Sequence, residues 1–335
     1  MKLLHHRPKV PNFGDDLNAI LWPALVPSLL GALSQEAGDD SAFVGIGTIV
    51  GIDPGDAQCL HVFSSGVGYT SMDAWIGRSV EYHCVRGPFS ARVLGLPDSA
   101  SLTDGAILTP LMSEFHLSAS TARAGTIVIP HFETVAFPGW PAAAKMAGFD
   151  LVDPRQPPAV VISRIAQAKL VLTESLHGAI LADAFGVPWR PFAVSRNFSK
   201  AKWADWAGSL NLRVAVAVIP PPDAVTLLRY GKPPEPFGTF FPLDLETACR
   251  EFRSRIAPPR PQGWMKTAGK GVLGRLPAAR KLLGFSAART AEALTKLAEG
   301  APLLSDPAKR EDLRSAMLAR LDALAKRHGA SLAIA

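Results

Sequence analysis

The sequence predicts an α/β protein: two parallel, doubly wound domains that face a cleft, followed by a helical basic tail. Three observations predict it. First, apolar runs of four to six residues alternate with helical segments along most of the chain, as in parallel sheets covered by helices. Second, a polar Ser/Thr/Ala stretch between Leu111 and Gly125 interrupts the series, giving domains at 1–122 and 123–257. Third, the charge is uneven: residues 260–335 hold 14 Lys/Arg against 6 Asp/Glu, whereas the remainder holds 21 against 23. The net charge of +6 therefore belongs to a tail, taken as 258–335. A body without excess positive charge argues against nucleic acid as a partner.

With 335 residues, 48% hydrophobic and 19% charged, the chain can bury two cores. No apolar run is long enough to span a bilayer. Met1 to Asn12 lacks the apolar run of a signal peptide. Cys59, Cys84 and Cys249 are widely spaced and form neither a metal nor a redox pattern. A cytoplasmic protein with reduced thiols is expected, with no metal and no cofactor.

In chain order, Asn12 to Asn18 is a polar turn feeding an apolar helix to Leu33, with Asp15 or Asp16 as its cap. Strands follow at Phe43–Val50, His61–Gly68 and Ser79–Val85. Pro88 suits the first position of a short helix, and Asp104–Pro110 reads as one more strand. The second series begins with a strand at Gly125–His131, a helix at Trp140–Ala147 and a strand at Phe149–Asp153. It continues with a helix at Ala159–Ala168, a strand at Leu170–Thr173 and a helix at Leu176–Phe185. Ser175 is the expected cap of that helix and Gly186 its C-terminal glycine. Strands at Val187–Ala193 and Arg213–Ile219 flank a helix at Lys202–Leu210. Pro220–Pro242 is a Pro-rich crossing loop, and Leu243–Ile256 is helical. After a Pro-rich break at 258–263, helices are expected at Met265–Leu283, Ser286–Glu299 and Pro307–His328. The last carries Leu313, Met317, Leu321 and Leu324 at helical spacing opposite basic residues, an amphipathic face suited to an anionic membrane surface or to packing across both domains.

Four places combine strand ends, turns and reactive side chains: Asn12-Phe-Gly-Asp15, Arg86-Gly-Pro88, Ile129-Pro-His131 and Glu174-Ser-Leu-His177. Each has a plainer reading. Asp15 is a helix cap, Arg86 pairs with a surface carboxylate, His131 bonds loop backbone, and His177 is a half-buried core histidine beside Ile180, Leu181 and Ala184. Against these stands their recurrence at corresponding positions in two α/β halves, which favours a site. His177 lies in the first turn of a helix, where free N–H groups and the dipole attract anions. Gly45-Ile-Gly47 and Gly66-Val-Gly68 lack the spacing of a dinucleotide fingerprint. Asp15-Asp16 and Asp39-Asp40 are adjacent carboxylates, not a spaced metal motif. His5-His6 reads as a solvated terminus, and Lys200 and Lys202, near Phe198 and Trp203, as surface rather than cleft lining.

Taken in order, these motifs resemble the polysaccharide pyruvyl transferase family, most closely the ketal transferases of succinoglycan-type exopolysaccharide synthesis. The matching pieces are Asn12-Phe-Gly-Asp15, Gly45-Ile-Gly47-Thr48, Ser65-Gly66-Val67-Gly68, Arg86-Gly-Pro-Phe-Ser90, Ile129-Pro-His131 and the run from Leu176 to Pro188. They cover roughly residues 1–220. The resemblance implies two Rossmann-like domains as in GT-B glycosyltransferases, phosphoenolpyruvate as donor and a saccharide diol as acceptor; the basic tail is expected to help a cytoplasmic enzyme reach a lipid-linked acceptor at the inner leaflet, or else to pack across both domains. It implies acid/base roles for His177, His131 and Asp15, and a donor-anion clamp at Arg86. Asn12, Gly14, Gly66, Ser175, Arg164 and Lys200 complete the implied binding set. One departure stands out: many members carry Arg two residues before the histidine, where this chain has Ser175. Either Arg164, Arg86 or Arg190 then takes over part of the anion binding, or the donor is held differently. Two rival readings remain, a GT-B glycosyltransferase using a nucleotide sugar and a non-enzymatic protein that docks through its basic tail.

Overall fold

The computed structural model describes residues 1–30, 40–116, 122–256 and 282–333. The expected break at 258–263, most of the helix at Met265–Leu283, Asp39 and the last turn toward Leu33 lie outside these residues.

The first sheet contains β1 (Lys2–Leu4), β2 (Ser41–Val44), β3 (Cys59–Phe63) and β4 (Ser79–Cys84), all parallel and adjacent in chain order. Only the first crossover contains α-helices: α1 (Phe13–Asp16), α2 (Asn18–Leu25) and α3 (Pro27–Leu30). What reads as one apolar helix breaks after Leu25, where Pro27 opens α3 and lacks the N–H that would continue the ladder, while Pro23 is carried within α2. The later crossovers are loops, with one 3-10 turn at Asp73–Trp75. This sheet is thus parallel but not doubly wound. After β4 comes α4 (Pro88–Val93), with Pro88 in its first turn as expected. The segment expected as a strand from Asp104 is instead a 3-10 helix, Gly105–Leu111. The Asp104 carboxylate accepts the Ala106 N–H at 3.0 Å and closes the first turn, so local capping outweighs the apolar run.

The second sheet contains β5 (Ala124–Ile129), β6 (Asp150–Leu151), β7 (Ala168–Thr173), β8 (Trp189–Ala193), β9 (Ala215–Val218) and β10 (Phe240–Pro242). Its order is β10-β9-β8-β7-β5-β6, with only β10 antiparallel. Chain order therefore reverses at the β5/β7 pair, the switch point where open α/β sheets bind ligands outside their C-terminal strand ends. The helices α5 (Trp140–Ala147), α6 (Pro158–Gln167), α7 (Leu176–Ala184) and α8 (Lys200–Ser209) fall close to their expected positions. The Pro-rich crossing segment contains α9 (Val225–Tyr230) as well as β10, and α10 (Leu245–Ile256) follows. The face of α8 turned away from the second sheet packs with α10 on α4, so one core is shared between the two halves.

The tail supplies α11 (Ala287–Glu299) and α12 (Pro307–Arg327). Thr290, Ala291, Leu294 and Leu297 of α11 are buried against α5. Leu313, Met317, Leu321 and Leu324 of α12 are buried in the main core. Each fully buried leucine contributes about 1.5–3 kcal/mol relative to exposure, so this face is held by the protein and is not available to a bilayer. Several α12 arginines are also engaged. Arg314 donates to Ala184 O (3.1 Å), Arg320 to Ser99 O (2.6 Å), and Arg327 pairs with Glu81 (2.7 Å). Among the described residues, no helix is long and apolar enough to cross a membrane.

Candidate active site

The loops after β5, β7 and β8 meet those after β1 and β2 around a cleft of about 450 Å³. Asn12, Asp15, Arg86, His131, Ser175 and His177, scattered through the chain, all reach its wall.

His177 enters from the first turn of α7. That helix ends as predicted: Gly186 N–H bonds Asp183 O (2.9 Å) and Val187 N–H bonds Ala182 O (2.7 Å), a Schellman pattern. Its start differs from expectation. Ser175 sits at the cap position, but its hydroxyl caps nothing; its N–H donates to Thr173 Oγ1 at 2.9 Å. The His177 ring lies edge-on to Phe13 at 6.4 Å between centroids and directly over Gly14. A Cβ on Gly14 would fall 2.0 Å from His177 Nδ1, so only glycine leaves room for the imidazole. Gly14 is therefore a seat for His177. Gly66 plays the same part for Arg86, since a Cβ there would fall 2.3 Å from the guanidinium carbon.

His177 Nε2 is buried without a hydrogen-bond partner and stands 4.0 Å from Asp104 Oδ2, which is likewise unpartnered. Burial pushes the His177 imidazole down to about 3, assisted by the charges of Lys202 and Arg86. Burial pushes Asp104 up to about 6. Asp104 was not anticipated: its segment reads as a strand, and nothing local in Thr103-Asp104-Gly105 marks a partner for a histidine 73 residues on.

His131 follows β5. Glu133 N–H, which can only donate, points at His131 Nδ1 (3.4 Å), and the Asn197 side chain lies 3.2 Å from the same nitrogen. Nδ1 is therefore the acceptor and Nε2 carries the proton. Burial and Lys202 push this imidazole down to about 3 as well. Glu174, at the end of β7, joins three strand ends. It accepts from His131 N–H (3.0 Å), Thr134 Oγ1 (2.7 Å) and Val194 N–H (3.2 Å). This buried carboxylate positions the β5 loop that carries His131.

Asp15 projects from α1 and accepts from Asn12 Nδ2 at 2.8 Å, so Asn12 orients a carboxylate. Burial raises the Asp15 pKa, opposed by Asn12 and Lys202. Neither Asp15 nor Asp16 caps the apolar helix: α2 starts after Leu17 without a side-chain cap, and Asp16 instead accepts the Asn12 N–H at 3.2 Å. His6, expected in solvent, also reaches the cleft.

The cations are arranged differently from expectation. Arg86 is 1% exposed and its Nε donates to Asp205 Oδ2 at 3.0 Å. Its Nη1 donates to Thr48 Oγ1 at 2.7 Å. Asp205 also accepts from Ser90 N–H (2.9 Å) and Ser90 Oγ (2.5 Å). The pair ties α8 to the first half, and its charge is already balanced. Arg164 pairs with Asp150 at 2.7 Å, half exposed on α6, and is not part of the cleft. Arg190 donates to Leu297 O of α11 at 2.6 Å. Lys200 pairs with Glu235 and lies over the Phe241 ring at 4.2 Å, lining a separate hollow. Lys202 is the lysine in the cleft, its ammonium 4.8 Å from the Tyr69 ring centroid. Two residues along a helix turn a side chain by about 200°, so Lys200 and Lys202 cannot face the same way.

Two neutral imidazoles, one half-buried carboxyl and a lysine facing each other at a switch point define an α/β protein with an acid/base cleft suited to an anion. Residues 57–196 match the family described as "Polysaccharide pyruvyl transferase". It is 34% identical over 204 residues to the "Succinoglycan biosynthesis protein ExoV" of Rhizobium meliloti (strain 1021). That alignment takes in 60% of this chain and spans 62% of the relative's length.

Proposed function

We propose that the protein transfers pyruvate from phosphoenolpyruvate to a saccharide diol, forming a pyruvate ketal in bacterial exopolysaccharide biosynthesis. The observation that carries this reading is the meeting of His131, His177, Asp15 and Lys202 in one cleft. The two halves would then divide the substrates as in a GT-B-like transferase, with the donor against the β5 and β7 ends.

The reaction makes specific demands. C3 of the enol must gain a proton, C2 must accept a hydroxyl, phosphate must leave, and a second hydroxyl must close the ring. Of the two hydroxyl protons, one ends on the new methyl group and the other on phosphate. At neutral pH both imidazoles are uncharged in the free protein. A phosphate and a carboxylate placed beside His177 favour its protonated form, so donor binding itself would arm the general acid. Lys202 meets the anion, taking the place assigned to Lys200 and relieving Arg86 of that role. Asp15 and His131 remain to take the hydroxyl protons. Asp104 acts through His177, steadying its imidazolium. A lipid-linked acceptor would meet the membrane through basic surface residues, not through the buried face of α12.

The test is incubation with a repeat-unit acceptor. The expected result is release of inorganic phosphate from phosphoenolpyruvate and one ketal-linked pyruvate on the acceptor by mass spectrometry. An inert phosphoenolpyruvate with nucleotide released from a nucleotide sugar would establish the glycosyltransferase reading instead.

A further inference from the structure

Away from the cleft, at the edge of the first sheet, three potential ligands converge. His61 on β3 stands directly opposite Glu81 on β4 in the parallel register. The register then slips, pairing Val62 with Tyr82 and Phe63 with Cys84, so His83 is the extra residue of a bulge. The bulge brings three atoms together. His61 Nδ1 is 3.1 Å from His83 Nε2 and 3.3 Å from Glu81 Oε2, and the third side of the triangle is 3.7 Å.

We propose that His61, Glu81 and His83 form a binding site for a divalent transition-metal ion of the zinc class. In a tetrahedral zinc site with bonds of about 2.0–2.1 Å, neighbouring ligand atoms stand about 3.3–3.4 Å apart. The triangle matches that spacing, and an ion needs only small side-chain adjustments to enter. The donor set decides which ion. Two imidazoles and one carboxylate suit Zn²⁺ or Co²⁺, whereas Mg²⁺ and Ca²⁺ require oxygen-rich shells. Arg327 sharpens that preference. It engages the other Glu81 oxygen at 2.7 Å and offsets the carboxylate charge, leaving the imidazoles to supply the affinity.

The surroundings orient the ligands. His61 Nε2 lies 3.6 Å from Cys59 Sγ, so its Nδ1 is the nitrogen that faces the triangle. Glu81 is 43% exposed in its side chain, against 6% and 9% for the two histidines, and opens a path from solvent. The C-terminal helix covers the cluster: Arg320 donates to His83 O at 2.5 Å, and the His328 ring stands edge-on to His61 at 5.3 Å. An ion here joins strands β3 and β4 beneath α12, and its consequence is stability at the junction between sheet and tail.

The experiment uses the full chain without a polyhistidine tag, stripped with chelator and titrated with Zn²⁺ or Co²⁺. One equivalent is expected, with a rise in thermal midpoint, a tetrahedral Co²⁺ visible spectrum and no competition from Mg²⁺. Glu81→Gln and His83→Gln are each expected to weaken binding more than about tenfold. Glu81→Gln alters an exposed side chain and keeps the question answerable if His83→Gln does not fold. Binding that is absent, or equally tight in Glu81→Gln, would overturn the site.

Discussion

The two halves of the cleft carry opposite chemistry. The second half presents imidazoles at the ends of regular strands, and the first presents carboxyls on short or irregular elements. Burial acts on both in the direction that removes charge, lowering His131 and His177 and raising Asp15 and Asp104. The lesson is that both cleft histidines are uncharged in the free protein, with Lys202 as the lysine beside them, so the ligand's own charge bears on their protonation. This fits an anionic donor.

The comparison breaks first at His177. His177→Gln is expected to cut phosphate release from phosphoenolpyruvate by about 10²–10⁴-fold, the range of a lost general acid/base. Unchanged turnover would remove the imidazole half from the mechanism. Next is the tie between the halves. Asp205→Ala leaves Arg86 buried and unpaired and is expected to cost about 3–5 kcal/mol in denaturant unfolding. A much smaller loss would mean that the halves are held by apolar packing alone. Then comes the cation. Lys202→Met is expected to raise the donor KM by about tenfold or more, as for a lost charged hydrogen bond, while Lys200→Met leaves it nearly unchanged. Because Lys202 lowers both histidines, the same variant should move their NMR-monitored pKa values upward.

Smaller effects follow from pH. Native His131 and His177 titrate near 3, below the ordinary histidine value of 6.5. Below 6.5 the unfolded chain binds more protons, so stability falls as pH drops from 6.5 toward 3. His177→Gln should flatten that fall. Asp104 has the opposite sign: its pKa rises from 3.8 to about 6, so its contribution is full below 3.8 and lost as pH rises through 6. Asp104→Asn should therefore melt later than the parent at pH 8, measured by calorimetry, and no later at pH 3.5. Smallest of all, Arg164→Ala removes an exposed pair worth about 0.2–1 kcal/mol and should leave activity intact.

Much of the second half was legible because its signals are local. Apolar runs bounded by glycine and proline set β5, β7 and β8, and the segment from Ser175 to Pro188 carries its own start and stop. His131 and His177 were singled out for the same reason, since each follows a buried strand closely. The first half was harder to read. Its apolar helix breaks at Pro27, and a capped turn replaced a strand at Asp104. Arg86 was recognised as a residue of consequence, but its partner Asp205 lies 119 positions away. The tail shows the same limit. Its amphipathic pattern specifies a helix with one apolar face, and a bilayer or a core satisfies that face equally.

By itself, the sequence determined the α/β class, the alternation that builds the second sheet, the C-terminal stop of α7 and the identity of the residues at the strand ends. These depend on hydrophobic periodicity and backbone capping, which act over a few residues. Only the tertiary structure decided which cation faces the cleft, which carboxyl stands beside His177, and that α12 lies on the body. Those outcomes depend on distance in space, and desolvation and Coulomb interactions leave no trace in local spacing.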